Sequence, residues 1–239
     1  MTNVAVVPEE SDLLCEGCGY TLNGLPMSGK CPECGKPIPE SVGEHRHPAA
    51  FETRPSMKTF SQTSRWVIFH TTEFYRTLLV REHTDPARRF ARIHLAIATI
   101  LFMAAATGHV MLLFEMLAVD SKWLIVVMVV GTPVLLMLLI LLTRLATWLS
   151  AIEARYWGMR LPYQVVARGL AFHAAHYLPV GLLAVAVVWG YRLMLYERWA
   201  SHANDTRYLY SLSAVVLLGA GYLFRTYWIG MRNMMHANR

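Results

Sequence analysis

Four long apolar runs dominate the second half of the sequence and limit what the chain can fold into. They comprise residues 93–118, 123–142, 170–195 and 208–231. Each reaches the ~20 residues that an α-helix needs to cross ~30 Å of hydrocarbon. Only 16 % of the residues are charged, whereas soluble domains carry about 25 %. The sequence therefore predicts a mainly α fold, with a four-helix transmembrane bundle over residues 86–239.

The distribution of Lys and Arg between the loops predicts how this bundle is oriented. From residue 45 onward, sixteen bases lie on one side of the four runs and four on the other. Because basic loops stay in the cytoplasm, both termini are predicted to be cytoplasmic, in a bacterial inner membrane. Residues 1–12 have no basic start and no long apolar run, which predicts a flexible tail and not a secretory signal. Pro133 and Pro179 are expected to kink the second and third helices.

The four cysteines of the chain all lie near its start. Cys15, Cys18, Cys31 and Cys34 form the pattern C-x2-C-x12-C-x2-C. Each C-x2-C pair makes a tight turn that directs two thiolates to one ion, and Zn²⁺ accepts four thiolates tetrahedrally. A segment this short cannot bury enough apolar surface to fold alone, so the metal would stabilise it. Four protein ligands leave no open position, so the predicted zinc ion is structural and not catalytic.

The two knuckles, Cys15-Glu16-Gly17-Cys18-Gly19 and Cys31-Pro32-Glu33-Cys34-Gly35, resemble those of rubredoxin-like zinc ribbons. The resemblance covers residues 13–40 and implies a small N-terminal β-type ribbon around a Zn²⁺ ion. Two alternatives to zinc are an iron ion and a pair of disulfides. Disulfides require an oxidising compartment, which disagrees with the predicted cytoplasmic position.

Charge is unevenly distributed between the first two segments of the chain. Residues 1–44 carry seven acids and two bases, a net charge of −5, whereas residues 45–92 carry nine bases and four acids, a net charge of +5. Four thiolates and one Zn²⁺ ion would bring the N-terminal module to −7. Phosphate contacts need Lys and Arg, so nucleic acid is not the expected partner, and an acidic module favours a cytosolic protein docked through residues 13–40. The opposite charges also predict that the module folds back on residues 45–92, in which case high salt should increase protease access to the linker.

Two segments connect the ribbon to the membrane runs. Residues 41–63 contain two prolines and several Ser and Thr residues, which is typical of a flexible linker. Residues 64–84 are predicted to form an amphipathic interfacial helix, with Val67, Phe74 and Leu78 on one face. This helix either lies on an anionic membrane surface or packs against the bundle, and the sequence does not distinguish these arrangements.

Polar residues inside apolar runs are costly in lipid and indicate candidate sites. His94, His173, His176 and Glu153 all fall near the predicted cytoplasmic ends of the helices, and His173 and His176 share a helix face. Three imidazoles and a carboxylate would suit a divalent metal ion, which predicts a second metal site. The alternative is that these histidines bond to lipid headgroups or to neighbouring helices.

The membrane half is similar to the Yip-type family of small integral membrane proteins. The similarity rests on Phe74-Tyr75-Arg76-Thr77-Leu78-Leu79, Asp85-Pro86-Ala87-Arg88-Arg89-Phe90 and His176-Tyr177-Leu178-Pro179. It implies a non-enzymatic role in membrane organisation and carries over no catalytic residue. The sequence has no Walker loop, nucleophile elbow or H-E-x-x-H motif. We therefore expect a membrane scaffold that has the lipid bilayer as one partner; a homo-oligomer is compatible with this expectation. The alternative is a membrane enzyme or transporter that uses the His/Glu cluster.

Overall fold

The computed structural model describes residues 9, 12–42, 46–80, 85–117, 122–159, 161–196 and 206–238, without the side chains of residues 114–117. Most of the predicted tail and residues 43–45 of the predicted linker lie outside these ranges. The described chain is mainly helical. Its α-helices are α1 (Ala50–Thr53), α2 (Met57–Phe69), α3 (Thr71–Thr77), α4 (Asp85–Leu117), α5 (Lys122–Tyr156), α6 (Tyr163–His173), α7 (Tyr177–Tyr196) and α8 (Thr206–Met234).

The chain divides into two compact units. We name the first the ribbon unit; it comprises Met1–Phe90, Thr143–His173 and Thr226–Arg239. We name the second the apolar unit; it comprises Ala91–Leu142 and Ala174–Arg225. The helices α4, α5 and α8 each contribute residues to both units.

Four helical segments are long and apolar enough to cross a membrane, as the sequence predicts. They are Asp85–Leu113, Lys122–Tyr156, Tyr163–Tyr196 and Thr206–Met234. The second is the most apolar of the four. It exposes large apolar side chains such as Ile125, Val129 and Leu141. A broad exposed apolar surface of this kind is typical of contact with lipid, and the chain is a membrane protein.

The third segment is interrupted near the proline that the sequence singles out. A 3₁₀ turn, Ala174–His176, separates α6 from α7. Pro179 is the third residue of α7. In a continuous α-helix its ring would clash with the carbonyl of Ala175, and proline has no N–H to donate to that carbonyl. The interruption therefore falls one turn ahead of the proline. Pro133, in contrast, lies inside a continuous α5.

Close helix contacts form the core of the apolar unit. Leu112, Val188 and Tyr208 are buried in one cluster. A Cβ atom added at Gly108 would lie 2.8 Å from Cγ1 of Val188, so α4 and α7 approach more closely there than an alanine would allow. His109 Nδ1 lies 2.7 Å from the hydroxyl oxygen of Tyr208.

Aromatic rings form the core of the ribbon unit. Phe90 lies 5.3 Å from Phe60 and 5.1 Å from Phe172, measured between ring centroids, and Phe74 lies 5.1 Å from Phe172. The hydroxyl of Tyr75 donates to the carbonyl of Gly169 at 3.1 Å, and complete burial raises the pKa of this phenol. This core positions α3 and the short helices that precede it.

The segments between the ribbon and α4 differ in detail from the sequence prediction. The range predicted as one helix, residues 64–84, contains the end of α2 and all of α3, which meet at His70, and its last four residues lie outside the described chain. Val67, Phe74 and Leu78 are all buried, although they belong to α2, to α3 and to the residue after α3 and not to one helix face. The range predicted as a linker contains α1 and the start of α2. Ser56 caps the N-terminus of α2, where its side chain accepts a hydrogen bond from Thr59 N–H at 3.2 Å.

Candidate metal centre and its supports

The four cysteines converge on one point. Their sulfur atoms all lie within 4.8 Å of one another, with Cys15 Sγ 3.4 Å from Cys34 Sγ and Cys18 Sγ 3.6 Å from Cys31 Sγ. All four are free thiols, so no disulfide joins them. The cysteines are therefore close enough to bind one metal ion, as the spacing predicts.

Two matching turns bring the cysteines together. Gly19 N–H donates to the carbonyl of Cys15 at 2.8 Å, and Gly35 N–H donates to the carbonyl of Cys31 at 2.9 Å. Gly19 has φ +81° and Gly35 has φ +72°, a region that glycine adopts without the strain of a Cβ atom. Both glycines therefore supply the positive φ with which each turn closes.

The predicted β-type ribbon is reduced to isolated bridges. Leu14 pairs with Thr21 and Lys30 pairs with Pro37, both antiparallel, and the described residues contain no extended strand. Around the second bridge, Cys31 N–H donates to the carbonyl of Lys36 at 2.8 Å and Ile38 N–H donates to that of Gly29 at 3.1 Å, and the pairing extends no further. The β character of the ribbon is not confirmed.

The thiols differ in how readily they ionise. Burial disfavours the thiolate of Cys15, but hydrogen bonds from the N–H groups of Gly17 and Cys18 outweigh it and lower the pKa to about 7. Burial raises the pKa of Cys18 above its usual range. Because metal ligation needs thiolates, protons compete with a cation at this centre, and a bound ion would displace them.

A buried arginine connects the ribbon to α3 and α8 within the ribbon unit. Arg46 Nε donates to Glu16 Oε1 at 2.8 Å, and both side chains are about 5 % exposed or less. The Arg46 guanidinium also donates to the carbonyls of Tyr75 and Leu78 at 3.2 and 3.0 Å and to that of Asn233 at 3.2 Å. This ion pair joins the acidic ribbon to the basic segment that follows it, which agrees with the expectation that opposite charges bring the two together.

A second connection comes from the C-terminal residues. Asn238 accepts from Leu14 N–H at 2.9 Å, donates to the carbonyls of Leu14 and Ser41 at 2.8 and 2.7 Å, and its own N–H donates to Glu16 at 3.3 Å. The ring of His236 covers Gly19 so closely that an added Cβ atom would lie 2.6 Å from its Cε1. The first knuckle is therefore fixed by residues that follow α8.

The residues of the predicted second metal site are divided between the two units. His94 and His176 belong to the apolar unit, and His173 and Glu153 belong to the ribbon unit. His176 Nδ1 lies 2.7 Å from the Tyr222 hydroxyl, and His173 Nε2 lies 3.1 Å from the Thr226 hydroxyl. The three histidines are buried and Glu153 is exposed. The second site stays a prediction.

Sequence reasoning missed a buried ion pair in the ribbon unit. Arg168 Nη2 donates to Glu52 Oε2 at 2.5 Å, with 4 % and 6 % of the two side chains exposed. Ala49 N–H donates to the same carboxylate oxygen at 2.9 Å. The sequence feature that could have indicated this pair is the single charged residue within Val165-Val166-Ala167-Arg168-Gly169-Leu170. Its partner Glu52 lies 116 positions away and is not within a comparable apolar stretch.

The fold and the cysteine cluster define the class of this protein. It is a membrane protein with four helices able to cross a bilayer and a four-cysteine cluster able to bind a metal ion. No protein-family model matches the chain, and no curated protein or solved structure is significantly similar to it. The resemblances to zinc ribbons and Yip-type proteins therefore rest on the quoted motifs.

Proposed function

We propose that this protein is a polytopic membrane scaffold whose cysteine cluster holds a structural Zn²⁺ ion. The convergence of four sulfur atoms is the observation that carries the proposal. Zn–S bonds of about 2.3 Å in a tetrahedron place the sulfurs about 3.8 Å apart, close to the observed separations of 3.4 and 3.6 Å. All four coordination positions would be filled by thiolates, so the ion would stabilise the ribbon and would not bind a substrate.

The ribbon, residues 13–40, would dock a cytosolic protein with a basic surface. With zinc bound, the N-terminal module carries a net charge of −7, and complementary charge guides association and partner choice. Two apolar side chains of the ribbon, Tyr20 and Met27, are 38 % and 52 % exposed, and the acid Glu33 of the ribbon is exposed as well. Arg46 and Asn238 fix the ribbon within its unit, which would present this surface in one orientation. The loop charge bias favours the cytoplasmic side of a bacterial inner membrane.

Metal content tests the structural zinc ion. We expect the purified full-length protein to contain about one zinc ion per chain, and the variants Cys15→Ser and Cys34→Ser to lose nearly all of it, because three thiolates and a hydroxyl hold zinc weakly. Elemental analysis by mass spectrometry measures the ratio, and Ser28→Ala serves as a ribbon control that should retain the ion. Full zinc retention by Cys15→Ser would contradict the proposal.

The same measurement separates the scaffold from the alternative enzyme or transporter. The burial of His94, His173 and His176 argues against contacts with lipid headgroups, and the contacts of His176 with Tyr222 and of His173 with Thr226 agree with bonds to neighbouring helices. A second metal equivalent that survives Cys15→Ser and disappears in His173→Ala would support that alternative.

Site-specific photo-crosslinking in cells tests the docking surface. A crosslinker placed at Met27 is expected to give a discrete adduct with a basic protein, and Glu33→Lys is expected to weaken it severalfold because the substitution reverses a charge on the ribbon. Glu73→Lys reverses an equally exposed acid outside the ribbon and should leave the adduct unchanged. An adduct that is insensitive to Glu33→Lys would contradict docking through the ribbon. So would an adduct that also forms when the crosslinker is placed at Trp123, an exposed residue at the start of α5.

A further inference from the structure

A cleft of about 900 Å³ lies inside the ribbon unit, where the ribbon, α3 and the last turns of α8 meet. Lys36 of the ribbon, Arg76 of α3 and Arg232 of α8 all contribute to its walls. The four cysteines do not line this cleft, and the exposed Tyr20 and Met27 do not line it either. The cleft is therefore distinct from the metal centre and from the proposed docking surface.

Positive charge is in excess around the cleft. Four cationic and two acidic side chains line it. One of the acids, Glu16, is paired with Arg46 at 2.8 Å, so Lys36, Arg76 and Arg232 face the single remaining acid, Glu40, with a net charge of +2. Three cations from three separate elements suit a phosphate group, whose oxygens accept several charge-assisted hydrogen bonds at once.

One part of the remaining wall is apolar and belongs to a helix that is able to cross a membrane. Trp228 and Ile229 line the cleft one turn before Arg232, near the end of the spanning segment Thr206–Met234. Tryptophan rings favour the level of the lipid headgroups, and basic residues at that level attract anionic lipids. A ligand in this cleft would thus meet cations on one side and an apolar surface on the other.

We propose that this cleft binds the headgroup of an anionic phospholipid. Arg76 and Arg232 bind the phosphate oxygens, Lys36 approaches from the ribbon, and Trp228 and Ile229 contact the glycerol and the first acyl carbons. A soluble phosphate ester offers the same phosphate chemistry but lacks the acyl carbons that the apolar wall would contact. The lipid would join the ribbon to α3 and α8, a role that does not depend on the docked protein.

Native mass spectrometry of the full-length protein in neutral detergent tests this site. We expect the protein to retain added phosphatidylglycerol in preference to phosphatidylcholine. The double variant Arg76→Gln with Arg232→Gln is expected to weaken retention on the order of 100-fold, because two charge-assisted hydrogen bonds are lost. The matched control Arg65→Gln with Arg144→Gln removes two exposed arginines that do not line the cleft and should bind as the unmodified protein does.

Three measurements would overturn the proposal. Equal weakening by the control pair would show attraction to general surface charge, and equal retention of phosphatidylcholine would exclude an anion site. Glycerol 3-phosphate binding as tightly as phosphatidylglycerol would identify a soluble ligand in place of a lipid. Unchanged zinc content and melting midpoint in each variant exclude misfolding, and Arg76→Lys with Arg232→Lys, which keeps both charges, should retain part of the binding.

Discussion

Replacing Glu52 by alanine is expected to lower the stability of the protein by about 3–5 kcal/mol, because it leaves the Arg168 guanidinium charged, buried and without its carboxylate. The two side chains are 6 % and 4 % exposed, so the guanidinium that remains is shielded from bulk water. Thermal unfolding in detergent should show a fall in midpoint on the order of 10 °C.

Two further variants distinguish the loss of this pair from a general effect of substitution. Glu73→Ala removes a carboxylate that faces His70 with about two thirds of its side chain exposed, and such a surface pair contributes about 0–1 kcal/mol. The double variant Glu52→Leu with Arg168→Met replaces both charges by apolar side chains and should restore most of the stability. If Glu52→Ala lowers the midpoint no more than Glu73→Ala does, the pair is not buried as described.

Replacing Arg46 by methionine is expected to release the ribbon. The change removes four hydrogen bonds, to Glu16, Tyr75, Leu78 and Asn233, and leaves the Glu16 carboxylate buried without its cation. A loss of about 3 kcal/mol corresponds to a roughly 100-fold rise in the population of the released ribbon. Limited proteolysis between the ribbon and α1 should accelerate accordingly.

The salt dependence of this proteolysis gives a second measurement. The sequence predicts that high salt increases protease access, but the Arg46–Glu16 pair is about 95 % buried, and buried pairs are screened much less than exposed ones. We therefore expect little change in the unmodified protein between low and high salt, and rapid cleavage of Arg46→Met at both. Arg54→Met, which removes an exposed arginine of the same basic segment, is the control, and equal cleavage of the two variants would contradict the role of Arg46.

Local patterns in the sequence predict the apolar helices and the clustering of the four cysteines. A run of about 20 apolar residues has few alternatives to a membrane-spanning helix, so the four segments are recognisable without knowledge of their packing. The cysteine spacing is equally local: each pair closes its own turn, and Gly19 and Gly35 supply the backbone conformation that the turn requires. These are the features that the structure confirms.

Long-range pairing could not be predicted from the sequence. Glu52 and Arg168 are 116 positions apart, and Leu14 and Asn238 are 224 positions apart. Neither Glu52 nor Asn238 differs locally from an ordinary surface residue, so only the tertiary fold shows its partner. The break at His70 and the reduction of the ribbon to two bridges are likewise features that apolar periodicity does not report.

The bond between Leu14 and Asn238 has a consequence for the order in which the protein assembles during synthesis. The ribosome adds Asn238 224 residues after Leu14 of the ribbon, when all four helices able to cross the membrane have been made. The cysteine turns are local and could form as soon as they emerge, but the ribbon cannot complete its attachment until the residues after α8 have been made. Attachment of the ribbon is therefore a late step of biogenesis, and an attached ribbon indicates that synthesis of the last helix is finished.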